Sequence, residues 1–122
     1  MNTKEVWLRR AEGDFKAALL LQEHGMNAPS TFHYQQAAEK ALKYGWLKNS
    51  LPLQKTHDCY VLASKLEATQ EILYSADLLT SFYIMSRYPD VGIANPTPEE
   101  TEKAKKAAEE ILKWIKKKYS QK

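Results

Sequence analysis

The sequence predicts an all-α domain. Only 4 Gly and 5 Pro occur in 122 residues, too few for the turns of an all-β chain of this length. Apolar residues recur at alternating steps of three and four, the spacing of one helix face. The breakers are grouped between those stretches, which divides the chain into five helical segments. Apolar residues make up 43% and charged residues 27%, enough to offset ordering entropy, and the length suits one domain spanning residues 1–122.

The first segment runs from Thr3 to about Glu23, with Trp7, Ala11, Asp14, Ala18 and Leu21 on one face. Thr3 is a candidate N-cap, Glu5 suits the first turn, and His24-Gly25 reads as a basic end followed by a C-terminal glycine. Gly25 to Pro29 is then a loop. Ser30 or Thr31 is expected to cap a second helix ending near Lys48-Asn49, because Pro52 cannot continue a hydrogen-bond ladder. Its Tyr34, Ala37, Ala38, Ala41, Leu42 and Gly45 form a face of mostly small side chains that admits another backbone closely.

Thr56 is expected to start a third, shorter helix with Asp58 in its first turn and Cys59, Leu62, Ala63 and Leu66 as its stripe, ending near Glu67 to Thr69. A fourth runs from about Glu71 to Ser86. Its Leu78, Leu79, Phe82, Tyr83 and Met85 widen the apolar arc beyond one contact, which predicts a homodimer. Arg87-Tyr88-Pro89-Asp90 stops it, and a loop leads to Thr97-Pro98, a cap with proline at the first helical position. Glu99, Glu100 and Glu102 open the last helix, lysines close it, and Ala104, Ala108, Ile111 and Ile115 form its core face.

Several chemistries are set aside. The histidines at 24, 33 and 57 lie in three segments without metal spacing, Cys59 is the only cysteine, and no glycine-rich phosphate loop is present, so neither a metal nor a cofactor is expected. No apolar run reaches the roughly 18–20 residues of a membrane span, and the first residues lack a signal-peptide pattern, which predicts a cytoplasmic chain. The lysine-rich stretch from Lys113 to Lys122 reads as dipole complement and packing. Trp7, Trp46 and Trp114 read as packing residues.

Three features carry possible ligand chemistry. Asp14 lies on an apolar face, where a buried carboxylate requires a partner, so it faces either a neighbouring basic residue or a cleft. His33, Gln36, Lys40 and Lys43 form a polar stripe beside the small face, either solvated or reading a phosphate or base. Arg87 offers a planar donor fork, Tyr88 a ring and Asp90 an acceptor; alternatively, the three merely finish the fourth helix.

Trp7-Leu8-Arg9-Arg10-Ala11-Glu12-Gly13-Asp14-Phe15, Phe32-His33-Tyr34-Gln35-Gln36-Ala37-Ala38-Glu39-Lys40-Ala41-Leu42-Lys43, His57-Asp58 and Ser86-Arg87-Tyr88-Pro89-Asp90 follow one another in this order. Together they resemble the HEPN domain of prokaryotes over nearly the whole chain. The resemblance implies an up-and-down four-helix bundle with an additional helix, frequent dimerisation, and nucleotide or RNA binding beside a small nucleotidyltransferase. The ligand set is then Asp14, His33, Gln36, Lys40, Arg87, Tyr88 and Asp90. Many members are RNases that use an Arg followed after four to six residues by His. Here those positions are Gly92, Ile93 and Ala94, so binding without the usual RNase activity is expected. The alternatives are a toxin-like HEPN endoribonuclease, with His57 brought to Arg87 by the fold, and a dimeric helical scaffold.

Overall fold

The computed structural model describes residues 3–87 and 95–120, with the side chains of 83–87 excepted. Five helices follow in order: α1 (Thr3–Glu23), α2 (Asn27–Lys48), α3 (Cys59–Lys65), α4 (Gln70–Arg87) and α5 (Pro98–Tyr119), with no strand among the described residues. The four long helices form an up-and-down bundle, and α3 is the additional helix. α2 is central, packing on each of the other four.

Local chemistry explains most boundaries. Gly25 adopts φ +71° at the end of α1, where the Met26 N–H donates to the Leu21 carbonyl at 2.9 Å and the Gly25 N–H to Gln22 at 3.0 Å. These paired bonds satisfy orphaned helix-end carbonyls, and glycine takes that backbone without steric cost. The same arrangement ends α2 and α3, with Ser50 and Glu67 each at φ 57°. α5 begins in a capping box: Thr97 Oγ1 accepts from Glu100 N–H at 3.0 Å and Glu100 Oε1 accepts from Thr97 N–H at 2.8 Å, with Pro98 next.

Two expected starts are corrected. α2 begins at Asn27, ahead of Ser30 and Thr31, because Pro29 falls in the first turn, where its missing N–H has no helical partner to lose. Ser30 is buried and its hydroxyl donates to the Ala18 carbonyl at 2.8 Å, tying α2 to α1. α3 begins at Cys59 rather than Thr56, since the Asp58 carboxylate is the N-cap, accepting from Tyr60 and Val61 N–H. Thr56 Oγ1 accepts from the Asp58 N–H instead.

The small face of α2 is filled from within the chain. Ala37, Ala38 and Ala41 are fully buried, and a Cβ added at Gly45 would stand 3.0 Å from the Ile115 and Leu66 methyls. This removes that face from any scaffold surface. Trp46 fills the layer below, its indole N–H donating to the Leu62 carbonyl at 2.9 Å. On α4, Leu79 and Phe82 are buried in the core and Leu78 is half-buried, so the chain covers part of the arc that predicts a homodimer. The side chains of Tyr83 and Met85 lie outside the described residues. Among the described residues no helix is long and apolar enough to cross a membrane.

A candidate anion-binding tract on helix two

Asp14 has the partner its position demands. Its side chain is 15% exposed at the seam of α1 and α2, where Oδ2 accepts from Lys40 Nζ at 2.6 Å and Oδ1 lies 3.1 Å from His33 Nδ1. Lys40 follows His33 by two helical turns, so both reach back to one point on α1. Three of the expected ligand residues are thus brought together. The ammonium of Lys40 retains further donors, and its direction is set by Asp14.

A second cluster adjoins the first and was not expected from sequence. Glu39 is 5% exposed, yet it is ionisable. Lys43 Nζ, on a side chain itself 9% exposed, donates to Oε2 at 2.9 Å, Gln35 Nε2 donates to Oε1 at 3.1 Å, and His57 Nδ1 lies 3.1 Å from both oxygens. Lys43 also stands over the Trp7 ring, 5.7 Å from its centroid, a favourable place for a partly desolvated cation. Each carboxylate therefore holds one lysine and one imidazole. Gln36 joins the clusters by donating to Gln35 Oε1 at 2.7 Å.

On a helical wheel Gln35, Glu39, Lys43, Gln36, Lys40 and His33 occupy one continuous arc of α2. No buried side-chain nitrogen or oxygen among the described residues lacks a hydrogen-bond partner, so the tract is a completed network rather than a strained one. Within each cluster the carboxylate charge cancels that of the lysine. A dianionic ligand would then depend on a further cation, and Arg87 is the candidate from the sequence.

Arg87 is the last residue of α4, about two turns after Thr80. Thr80 is bonded to the start of α3: its hydroxyl oxygen accepts from Cys59 N–H at 3.1 Å and it donates to Asp58 Oδ1 at 3.3 Å. The side chain of Arg87, together with Tyr88 and Asp90, lies outside the described residues. Cys59 is fully buried; burial, reinforced by the nearby Glu39 carboxylate, pushes its thiol far above the usual range, so it is inert as a nucleophile. Among the described residues no group of His, Cys, Asp and Glu is assembled to hold a metal ion.

Glu39 and Gln35 are the members sequence reasoning passed over, and His57 entered it only as an imidazole that the fold would have to bring to Arg87. The available signal was the i, i+4 pair Glu39 and Lys43, acid before base, which on its own reads as an exposed helix pair. Nothing in the spacing places His57 against α2.

The HEPN domain family model matches residues 4–118. A curated relative, "Putative toxin MJ1304" of Methanocaldococcus jannaschii, is 26% identical over 92% of this chain and 85% of its own. The crystal structure of TT1696 from Thermus thermophilus superposes with a TM-score of 0.87 at 30% identity, covering 96% of this chain and 98% of that one. That of ST0689, an archaeal HEPN homologue, gives 0.84 at 28% identity over 98% and 99% of the two chains. With the family model matching residues 4–118 and the solved archaeal HEPN homologue superposing over nearly its full length, the chain belongs to the HEPN domain family.

Proposed function

We propose that this chain binds a phosphate-bearing ligand, a nucleotide or an RNA end, and acts beside a small nucleotidyltransferase without the family's usual RNase chemistry. The observation that carries the reading is the convergence of Lys40 and His33 on Asp14 across two helices, which fixes the direction of a partly exposed ammonium. Arg87 supplies the charge-assisted fork, Tyr88 a stacking surface, and Gln36 and Asp90 polar contacts to base or ribose. Catalysis by the family's Arg-then-His pair lacks its imidazole, since Gly92, Ile93 and Ala94 stand where it belongs.

The test is calorimetric titration with a nucleotide panel of wild type, Arg87→Ala, Arg87→Lys and Lys40→Ala, each first shown to be folded by circular dichroism. Losing the fork is expected to cost about 1.5–3 kcal/mol, roughly ten- to a hundredfold in affinity. Lysine at 87 keeps the charge without the fork and also weakens binding. Equal binding by wild type, Arg87→Ala and Lys40→Ala would remove the reading. The proposed homodimer is checked by light scattering at micromolar concentration, where a strictly monomeric mass rejects it. Co-expression with a small nucleotidyltransferase encoded nearby, followed by gel filtration, tests the partner.

A second reading, a toxin-like endoribonuclease, is favoured by one arrangement: the half-exposed His57 imidazole backed by the buried Glu39 carboxylate. Metal-independent RNA cleavage that disappears in both Arg87→Ala and His57→Ala would establish it.

A further inference from the structure

α1 and α5 touch little directly, each resting on α2. Two polar contacts bridge them: Lys116 Nζ donates to Glu12 Oε2 at 2.6 Å, and Gln22 Nε2 donates to Glu102 Oε1 at 3.1 Å. This pairing is antiparallel, and the bridges stand about 15 Å apart along α1, at about 1.5 Å per residue. Between them the helices leave a cleft of about 470 Å³. Its floor is apolar: Leu112 is buried, Phe15 and Leu19 are partly buried against the core, and Phe15 meets the Tyr34 ring edge-on at 5.3 Å. The cleft lies across α1 from Asp14 and shares no residue with the polar tract of α2.

The charges along the cleft are unevenly placed. Lys16 stands one turn beyond Glu12 on α1 and Lys113 about one turn before Lys116 on α5, so the antiparallel pairing brings them to one level on facing walls. Both are exposed, and neither has a carboxylate within ion-pair distance among the described residues. Glu12 is already engaged by Lys116. This end of the cleft therefore carries two uncompensated positive charges beside an apolar floor. Glu109 lines the cleft one turn further toward Glu102, which makes the other end acidic. The volume and the mostly apolar lining with a few charged groups suit a small molecule. A partner helix fits less well, because bridges fewer than about three turns apart block its path at both ends.

We propose that the cleft between α1 and α5 binds a small anionic amphiphile, an apolar body carrying one carboxylate, with the body on Phe15, Leu19 and Leu112 and the charge between Lys16 and Lys113. The floor supplies affinity and the lysines select the sign of the charge. Glu109 repels a second anionic group at the far end.

The experiment is an NMR titration of the nitrogen-15-labelled chain at neutral pH with decanoate and with decyltrimethylammonium, each below the concentration at which it aggregates. Decanoate is expected to shift the amides around Phe15, Lys16, Leu19, Leu112 and Lys113 saturably, and the alkyl cation to bind at least about threefold more weakly. Lys16→Gln and Lys113→Gln each weaken decanoate binding by about 1.5- to fivefold, the worth of one exposed charge contact. Lys16→Glu combined with Lys113→Glu reverses the preference in favour of the cation, which adsorption to any other apolar surface would not produce. Both positions are exposed, and circular dichroism checks that the variants are folded. Equal affinity of wild type for the two probes, shifts confined to the exposed Leu20, Met26 or Tyr74, or no saturable shift at millimolar decanoate overturns the proposal. Cleft amides that move on dilution of the ligand-free chain place a second copy in the cleft and overturn it as well.

Discussion

Replacing Glu39 by methionine keeps the side-chain volume and removes the charge. In the wild type the Glu39 carboxylate accepts from Lys43, Gln35 and His57. Without it the ammonium of Lys43, on a side chain only 9% exposed, remains against the Trp7 ring with no counter-charge, and one Gln35 amide hydrogen loses its acceptor. Breaking one side of a buried pair costs about 3–5 kcal/mol, largely the desolvation of the charge left behind. For a 122-residue domain unfolding near 60 °C the entropy is about 0.26 kcal/mol/K, so Tm falls by about 12–20 °C. Lys43→Met in the same background removes the stranded ammonium, and the double variant is expected to return to within about 1 kcal/mol of wild type or to exceed it. Guanidinium denaturation of the four proteins, with slope and midpoint both recorded, closes the cycle. A loss below about 1 kcal/mol in Glu39→Met, or a double variant no better than that single one, would show that the network is wetter and weaker than its burial indicates.

Gly45→Ala gains about 1 kcal/mol of helix propensity but drives a methyl to 3.0 Å from Ile115 and Leu66. A net loss of about 1 kcal/mol is expected, and Gly45→Val should lose more than about twice as much; urea midpoints decide it. Ser50→Gly relieves a non-glycine residue at φ 57° and is expected to raise stability by about 0.5–1 kcal/mol, with no gain in midpoint counting against the strain. Burial, with repulsion from Glu102 and Glu109, pushes the Tyr34 hydroxyl up to about 12 from 10.0. The unfolded phenol ionises first, so this contribution to stability is complete below about pH 10 and is lost between about pH 10 and 12. Tyr34→Phe should flatten the alkaline decline of the denaturation midpoint over that window, and identical declines would contradict it.

Most of the fold was legible because its punctuation is chemical. Gly25 ends α1, Thr97 and Pro98 open α5, and the core faces expected for α3 and α5 are the ones buried. The start of α2 was not, because Ser30 has the composition of a cap while its hydroxyl donates to Ala18 across the helix seam, a bond no local pattern announces. The site divides in the same way. Asp14 was marked by a charge on an apolar face, which physically demanded a partner. Glu39 was hidden because an i, i+4 Glu and Lys pair reads alike whether exposed or covered, and its burial depends on the turn after α2 folding His57 back onto it. Contact between residues 39 and 57 is a property of that turn, not of either helix.

The helix that carries the polar tract is also the one in contact with every other. Its amide hydrogens between Tyr34 and Trp46 should therefore exchange with solvent only through global opening, at rates set by the stability of the whole domain, while the ends of α5 and α3 exchange sooner by fraying. A ligand bound there as proposed would meet a backbone that is already ordered, so its association would cost little main-chain entropy. Any binding energy gained along α2 would then reappear as resistance of the complete fold to unfolding. A change that loosens the tract by repacking α2 cannot stay local, since the same residues hold the other four helices in register.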